Sequence, residues 1–66
     1  MNNETTYDLE RHLAIKQIQL YLHIQQSATY FGDQQECRRA KDIIDKLVTD
    51  YGMSAFHVAQ GRYQHG

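Results

Sequence analysis

Apolar residues over positions 9–31 recur at steps of three, four or seven, which is the spacing that gathers side chains on one side of an α-helix. Six of them form a heptad-like set that Gln17 interrupts, here called the seam: Leu9, Leu13, Leu20, Ile24, Ala28 and Phe31. Beside the seam lies a second stripe: Tyr7, Ala14, Ile15, Ile18, Tyr21 and Leu22. At roughly 100° per residue, the two sets cover about two-thirds of the helix circumference. The pattern predicts a helix over about residues 7–30, with Thr5 or Thr6 as its N-cap.

A second helix follows after a short connection. Gly32 is expected to end the first helix, and Asp33 with Glu36 three positions later reads as a capping box for a helix over about residues 34–51. Its apolar residues share one arc: Cys37, Ala40, Ile43, Ile44, Leu47, Val48 and Tyr51. A connection this short predicts an antiparallel helical hairpin.

The chain after the hairpin predicts one more, shorter helix. Gly52 is expected to end the second helix, and Ser54 is a natural N-cap for a third helix over about residues 54–63. We expect Gly61 to weaken the end of this helix and residues 64–66 to be disordered. The predicted fold is a single all-α domain over residues 1–66, a helical hairpin plus a short C-terminal helix.

The small size of the chain favours self-association. A chain of 66 residues buries only about 60% of its unfolded surface, and with Cys37 as its one cysteine it forms no internal disulfide. The second helix covers only one side of the first, so we expect the second stripe to meet another copy in a homodimeric four-helix-type bundle. The predicted dimer interface comprises Ala14, Ile15, Gln17, Ile18, Tyr21, Leu22 and Gln25. The alternative is a monomeric three-helix bundle in which the third helix covers that stripe.

Composition and spacing argue against several classes of function. The net charge of −1 provides no global positive field for nucleic acid or anionic lipid, and no apolar run exceeds three residues, so we expect neither a membrane span nor a targeting leader. A cytoplasmic location is the resulting expectation. His12 and His23 share one helix but lie about 16 Å apart, too far to bind one metal ion. With no catalytic constellation and no glycine-rich phosphate loop, we expect no enzyme, metal or cofactor.

The aromatic content favours contact with a protein. Five tyrosines and two phenylalanines suit an interface, because aromatic side chains bury much area with few rotatable bonds. We therefore expect a small regulator or inhibitor that binds and occludes a protein partner. The predicted partner-binding residues are Tyr51, Phe56, Arg62 and Tyr63. The other exposed candidate is a polar strip on the first helix: His12, Lys16, Gln19, His23 and Gln26.

Nucleic-acid binding is the alternative function. Residues 34–51 and 54–63 have the apolar and glycine spacing of a helix-turn-helix. The groove contacts would then be Ser54, His57, Gln60 and Arg62. Arg62 is the only lysine or arginine in the last fifteen residues, although neutralised phosphates supply most of the affinity for DNA. A hairpin dimer that binds RNA is a further possibility, with a basic patch of Arg38, Arg39, Lys41 and Lys46 diluted by nearby aspartates.

Overall fold

A computed structural model describes residues 3–65, which form three α-helices. Helix α1 spans Asn3–Phe31, α2 spans Gln34–Tyr51 and α3 spans Met53–His65. The prediction of an all-helical chain is confirmed for this part of the protein. Side chains are described for residues 7–63. Disorder was predicted for residues 64–66, but Gln64 and His65 belong to α3, and Gly66 lies outside the described residues.

Two helices are longer than the sequence pattern predicts. Helix α1 begins before Thr5 and Thr6, so neither threonine is its N-cap, and the polar residues at its start join it although they carry no apolar periodicity. Helix α3 begins before Ser54, because the amide of Ala55 donates to the carbonyl of Gly52 at 3.2 Å. It also continues through Gly61, since one glycine in a helix costs only about 1 kcal/mol.

The connection between α1 and α2 is a Schellman turn. Gly32 has φ +74°, its amide donates to the carbonyl of Thr29 at 3.2 Å, and the amide of Asp33 donates to the carbonyl of Ala28 at 2.8 Å. The carboxylate of Asp33 then accepts from the amide of Glu36 at 3.1 Å and caps α2. This single turn therefore ends one helix and starts the next.

Helix α2 runs back along α1, in the opposite direction. Near the start of α2, Sγ of Cys37 lies 3.4 Å from Oγ1 of Thr29, which is near the end of α1. At the other end of α2, Tyr51 lines a small cavity of about 200 Å³ together with Leu13 and Ala14 from the first half of α1. The two helices are thus in contact along most of the length of α2.

Helix α3 returns to α1 and runs in the same direction as α1. Near its start, Nη2 of Arg11 donates to Oγ of Ser54 at 3.2 Å. Near its end, Arg62 and Tyr63 lie beside His23, which is twelve positions further along α1 than Arg11. Because α2 and α3 both pack mainly against α1, the long helix is the centre of the fold.

The core lies where α2 and α3 meet the second stripe of α1. Its buried residues are Ile15, Ile18, Ile44, Ala55 and Ala59. Partly buried side chains surround them: Tyr21, Leu22, Leu47, Val48, Tyr51, Phe56 and Val58.

This packing corrects the expectation that the second stripe faces another chain. Of the residues predicted for the dimer interface, Ala14, Ile15 and Ile18 are buried, and Tyr21 and Leu22 pack against the core. The cause is α3, which occupies the surface that the hairpin alone leaves open. The remaining two, Gln17 and Gln25, are exposed and half-buried, respectively.

Most of the seam faces the opposite way and is exposed, whereas Ile24 is half-buried and Ala28 is buried. Ile18 and Leu20 are two positions apart, hence about 200° apart around α1. Ile18 has 0% of its surface exposed, whereas Leu20 has 52%. Leu9, Leu13 and Phe31 are exposed as well. Helix α1 thus presents large apolar side chains on the side away from the core.

The two sides of α1 predict different costs of truncation. We expect Ile18→Ala to lower the free energy of unfolding by about 2–5 kcal/mol, because it leaves a cavity in the core. We expect the matched change Leu20→Ala to lower it by less than about 1 kcal/mol, since more than half of that side chain is already in water. Urea unfolding followed by circular dichroism measures both values. Equal losses would contradict this packing.

Two glycines of the C-terminal segment predict opposite effects of alanine. Gly52 has φ +93° and ψ 162°, a conformation that only glycine adopts readily, so Gly52→Ala is expected to destabilise the fold by about 1–3 kcal/mol. Gly61 is helical and a Cβ there meets no atom within 4 Å, so Gly61→Ala is expected to stabilise the fold by about 0.5–1 kcal/mol. Thermal unfolding of the two variants beside the unchanged chain tests the difference in sign.

Candidate functional site

An open groove of about 540 Å³ runs between the middle of α1 and the end of α3. Its lining consists of Lys16, Gln19, Leu20, His23, Arg62 and Tyr63. We call it the α1–α3 groove. It combines side chains from the polar strip of α1 with two of the predicted partner-binding residues from α3.

Helical spacing and two small residues build this groove. The four residues from α1 stand at positions i, i+3, i+4 and i+7, so they lie on one face of the helix over two turns. On α3, Ala55 and Ala59 have 0% exposure and lie one turn apart. Because alanine has no side chain beyond Cβ, α3 lies close against α1 along this line. This packing places Arg62 and Tyr63 at the edge of the polar strip.

The groove is positively charged and contains no carboxylate. Lys16 and Arg62 carry the charge, and His23 stands beside them. Among the described side chains, the ion pairs are Arg39 with Glu36 at 3.2 Å and Lys41 with Asp45 at 3.1 Å, both within α2. In this part of the chain, neither cation of the groove therefore has an acidic side chain within ion-pair distance.

The apolar seam continues the groove toward the end of α1. His23 also lines a neighbouring cavity of about 240 Å³, together with Ile24, Phe31 and two acidic residues, Asp33 and Glu36. Both carboxylates have contacts within the chain, because Asp33 caps α2 and Glu36 accepts from Arg39. The groove and this cavity therefore form one continuous surface. It is basic and apolar beside the middle of α1. Toward the end of α1 it is apolar, and its acidic groups are already hydrogen-bonded within the chain.

The structure separates the predicted partner-binding residues into two pairs. Arg62 is exposed and Tyr63 half-buried, and both line the α1–α3 groove. Tyr51 and Phe56 instead pack against the core cluster. The ring of Phe56 also contacts His57 edge-on, with centroids 6.1 Å apart. The groove thus contains two of the four predicted partner-binding residues, together with side chains from α1.

The residues predicted to contact nucleic acid do not share one face. His57 and Arg62 are five positions apart, hence about 140° apart around α3. The hydroxyl of Ser54 already accepts a hydrogen bond from Arg11, and Gln60 is half-buried. Only Arg62 of the four lines the groove.

The basic patch predicted on α2 for RNA is partly neutralised. Arg39 and Lys41 are in ion pairs with acidic residues of the same helix. The hydrogen bond and the negative charge of Glu36 raise the pKa of Arg39 above its ordinary value. Phosphates would have to compete with these carboxylates.

Two further findings concern chemistry and membranes. Within the described residues, no three histidine, cysteine, aspartate or glutamate side chains gather closely enough to hold a metal ion. None of the described helices has the length and apolar character needed to cross a lipid bilayer.

Sequence reasoning missed Lys16, Gln19, Leu20 and His23 as neighbours of the end of α3. The signal that could have found them is the pair Ala55 and Ala59, whose spacing of four predicts a close helix contact. Comparison with known proteins adds no functional assignment, because no protein family, no curated protein and no solved structure matches this chain.

Proposed function

We propose that this chain is a non-enzymatic helical regulator or inhibitor that binds and occludes another protein, with the α1–α3 groove as the centre of the contact. The observation that supports this proposal most is the position of the groove beside the exposed seam. Leu20 belongs to both surfaces, and Arg62 and Tyr63 border it. Arginine and aromatic side chains around an apolar centre are typical of residues that dominate binding energy.

The amount of exposed apolar surface favours a macromolecular partner. Four seam residues are exposed on one side of α1: Leu9, Leu13, Leu20 and Phe31. Soluble monomers rarely expose a contiguous apolar patch larger than a few hundred Å², and larger patches mark interaction sites. A row of leucines along a helix is therefore more consistent with a binding surface than with ordinary solvent-exposed positions.

The shape of the groove favours a protein over a small molecule. Small-molecule pockets enclose about 70–90% of their ligand's surface, which requires walls on several sides. The α1–α3 groove is open along one side and continues into the seam, so it suits an element that lies along α1. Recognition of a helix in a groove is a common mode of protein binding with this geometry.

Site-specific photo-crosslinking in cells of the source organism tests the proposed function. Benzoylphenylalanine at position 20, in the groove, is expected to form a covalent adduct with another protein. The same group at position 46, an exposed lysine on α2, serves as the matched control. Adducts at position 20 that are absent at position 46 support the proposal. If position 20 yields no more protein adducts than position 46, the groove is not the contact surface.

Self-association stays a prediction, and the packing changes the surface it requires. We propose that a homodimeric bundle would form through the first half of the seam, with Leu9 of one copy against Leu13 of the other in an antiparallel pair. Sedimentation equilibrium at micromolar concentration is expected to give twice the mass of the chain, and Leu13→Glu is expected to return the mass to that of one copy. A single-copy mass for the unchanged chain would contradict this dimer.

A further inference from the structure

We infer that the α1–α3 groove binds an acidic amphipathic helix of the partner protein, with its carboxylates at Lys16 and Arg62 and its apolar side chains on Leu20 and Tyr63. This inference rests on the proposed function and adds the chemistry of the partner. It combines the charge of the groove, the direction of the seam and the poor match of the groove to other occupants.

The charge of the groove contrasts with the rest of the chain. The chain has eight acidic and seven basic residues, so a random surface patch is close to neutral. The groove instead holds Lys16, His23 and Arg62 without a carboxylate in its lining. A concave surface of one sign attracts the opposite sign and suppresses partners of like charge. Acidic side chains are therefore its complement.

The direction of the seam identifies a helix as the occupant. From Leu20 to Phe31 the seam extends about 16 Å along α1, which equals about three helical turns. Ile24 lies between them, is half-buried and lines the cavity that continues the groove. A partner helix with apolar residues at positions i, i+4, i+7 and i+11 covers such a row, since both helices then repeat with the same period.

A second copy of the chain suits the groove poorly. A two-fold axis brings the same surface of both copies together. In an antiparallel pair along α1, the edge that holds Lys16 and His23 would therefore face the same edge of the other copy. Arg62 lies on this edge as well, so like charges would accumulate. The homodimer proposed above is instead centred on Leu9 and Leu13, which precede the groove along α1 and do not line it.

Nucleic acid also suits the groove poorly. Neutralised phosphates supply most of the affinity for nucleic acid. The groove provides two full positive charges, and a phosphate backbone would leave the side chain of Leu20 in water. An acidic helix contacts the charges and the leucine together.

Two synthetic peptides test the inference with the complete chain. The glutamate peptide has about 18 residues, or five helical turns, with leucines at i, i+4, i+7 and i+11, glutamates beside them and alanines elsewhere. The lysine peptide differs only in that lysines replace the glutamates. Fluorescence anisotropy at nanomolar labelled peptide keeps the peptides from associating with themselves. We expect the glutamate peptide to bind with a Kd at least about tenfold lower than that of the lysine peptide.

Variants of the chain locate the binding. Arg62→Glu and Lys16→Glu are each expected to weaken binding of the glutamate peptide about fivefold to tenfold. Leu20→Gln is expected to weaken it about tenfold, because it removes the apolar centre of the contact. The matched control is Lys46→Glu, an exposed cation outside the groove, with an expected change of less than about twofold. Circular dichroism confirms that each variant keeps its helical content.

Several results would overturn the inference. Equal affinity for the two peptides would show that charge does not select the partner. Tighter binding of labelled duplex DNA or structured RNA in the same buffer would identify nucleic acid as the occupant. Loss of a dimer through Leu20→Gln would identify a second copy. A protein adduct at position 20 without binding of the glutamate peptide would refute the partner chemistry and leave the proposed function standing, whereas the absence of both would refute both.

Discussion

The contact between two alanines of α3 and two isoleucines of α1 determines the arrangement of this protein. Ala55 and Ala59 are fully buried against the stripe that contains Ile15 and Ile18. A chain of this size has little apolar area to bury, so the loss of one face of its core would remove a large share of its stability. Because the alanines are small, α3 approaches α1 closely and completes the core without another chain. The exposure of the four large seam residues Leu9, Leu13, Leu20 and Phe31 follows from the side of α1 that α3 covers.

The same contact couples the core to the candidate site. Helix α3 is short, and the segment that packs on α1 continues within one turn into Arg62 and Tyr63. The charged groove therefore exists only while the alanines are packed. Helix α3 thus contributes to both the core and the candidate binding surface. Substitutions that loosen the packing of α3 therefore alter the geometry of the groove at Leu20 without contacting that residue.

Local signals predicted the boundaries between the helices better than they predicted which side of α1 faces inward. Gly32 and Gly52 lie at the connections because left-handed or extended glycine conformations are a local requirement that one residue reveals. Tertiary packing determines which side of α1 faces the core, because α1 has two apolar faces of similar extent. The residues that decide it, Ala55 and Ala59, contribute little to hydropathy. For the same reason the sequence offered Arg62 and Tyr63 as predicted partner-binding residues but did not predict their neighbours on α1.

The single-residue connection at Gly52 has a consequence for the energetics of recognition. Helix α3 packs mainly on α1 and less on α2, so it is a candidate for local opening as a unit while the hairpin stays folded. A ligand that touches Lys16 and Arg62 together binds only the closed form. Because the ligand then stabilises the closed form, the amides of α3 exchange hydrogen more slowly, including amides that the ligand does not contact. Hydrogen exchange of α3 thus reports whether the groove is occupied, because the one-glycine link allows α3 to open separately from the hairpin.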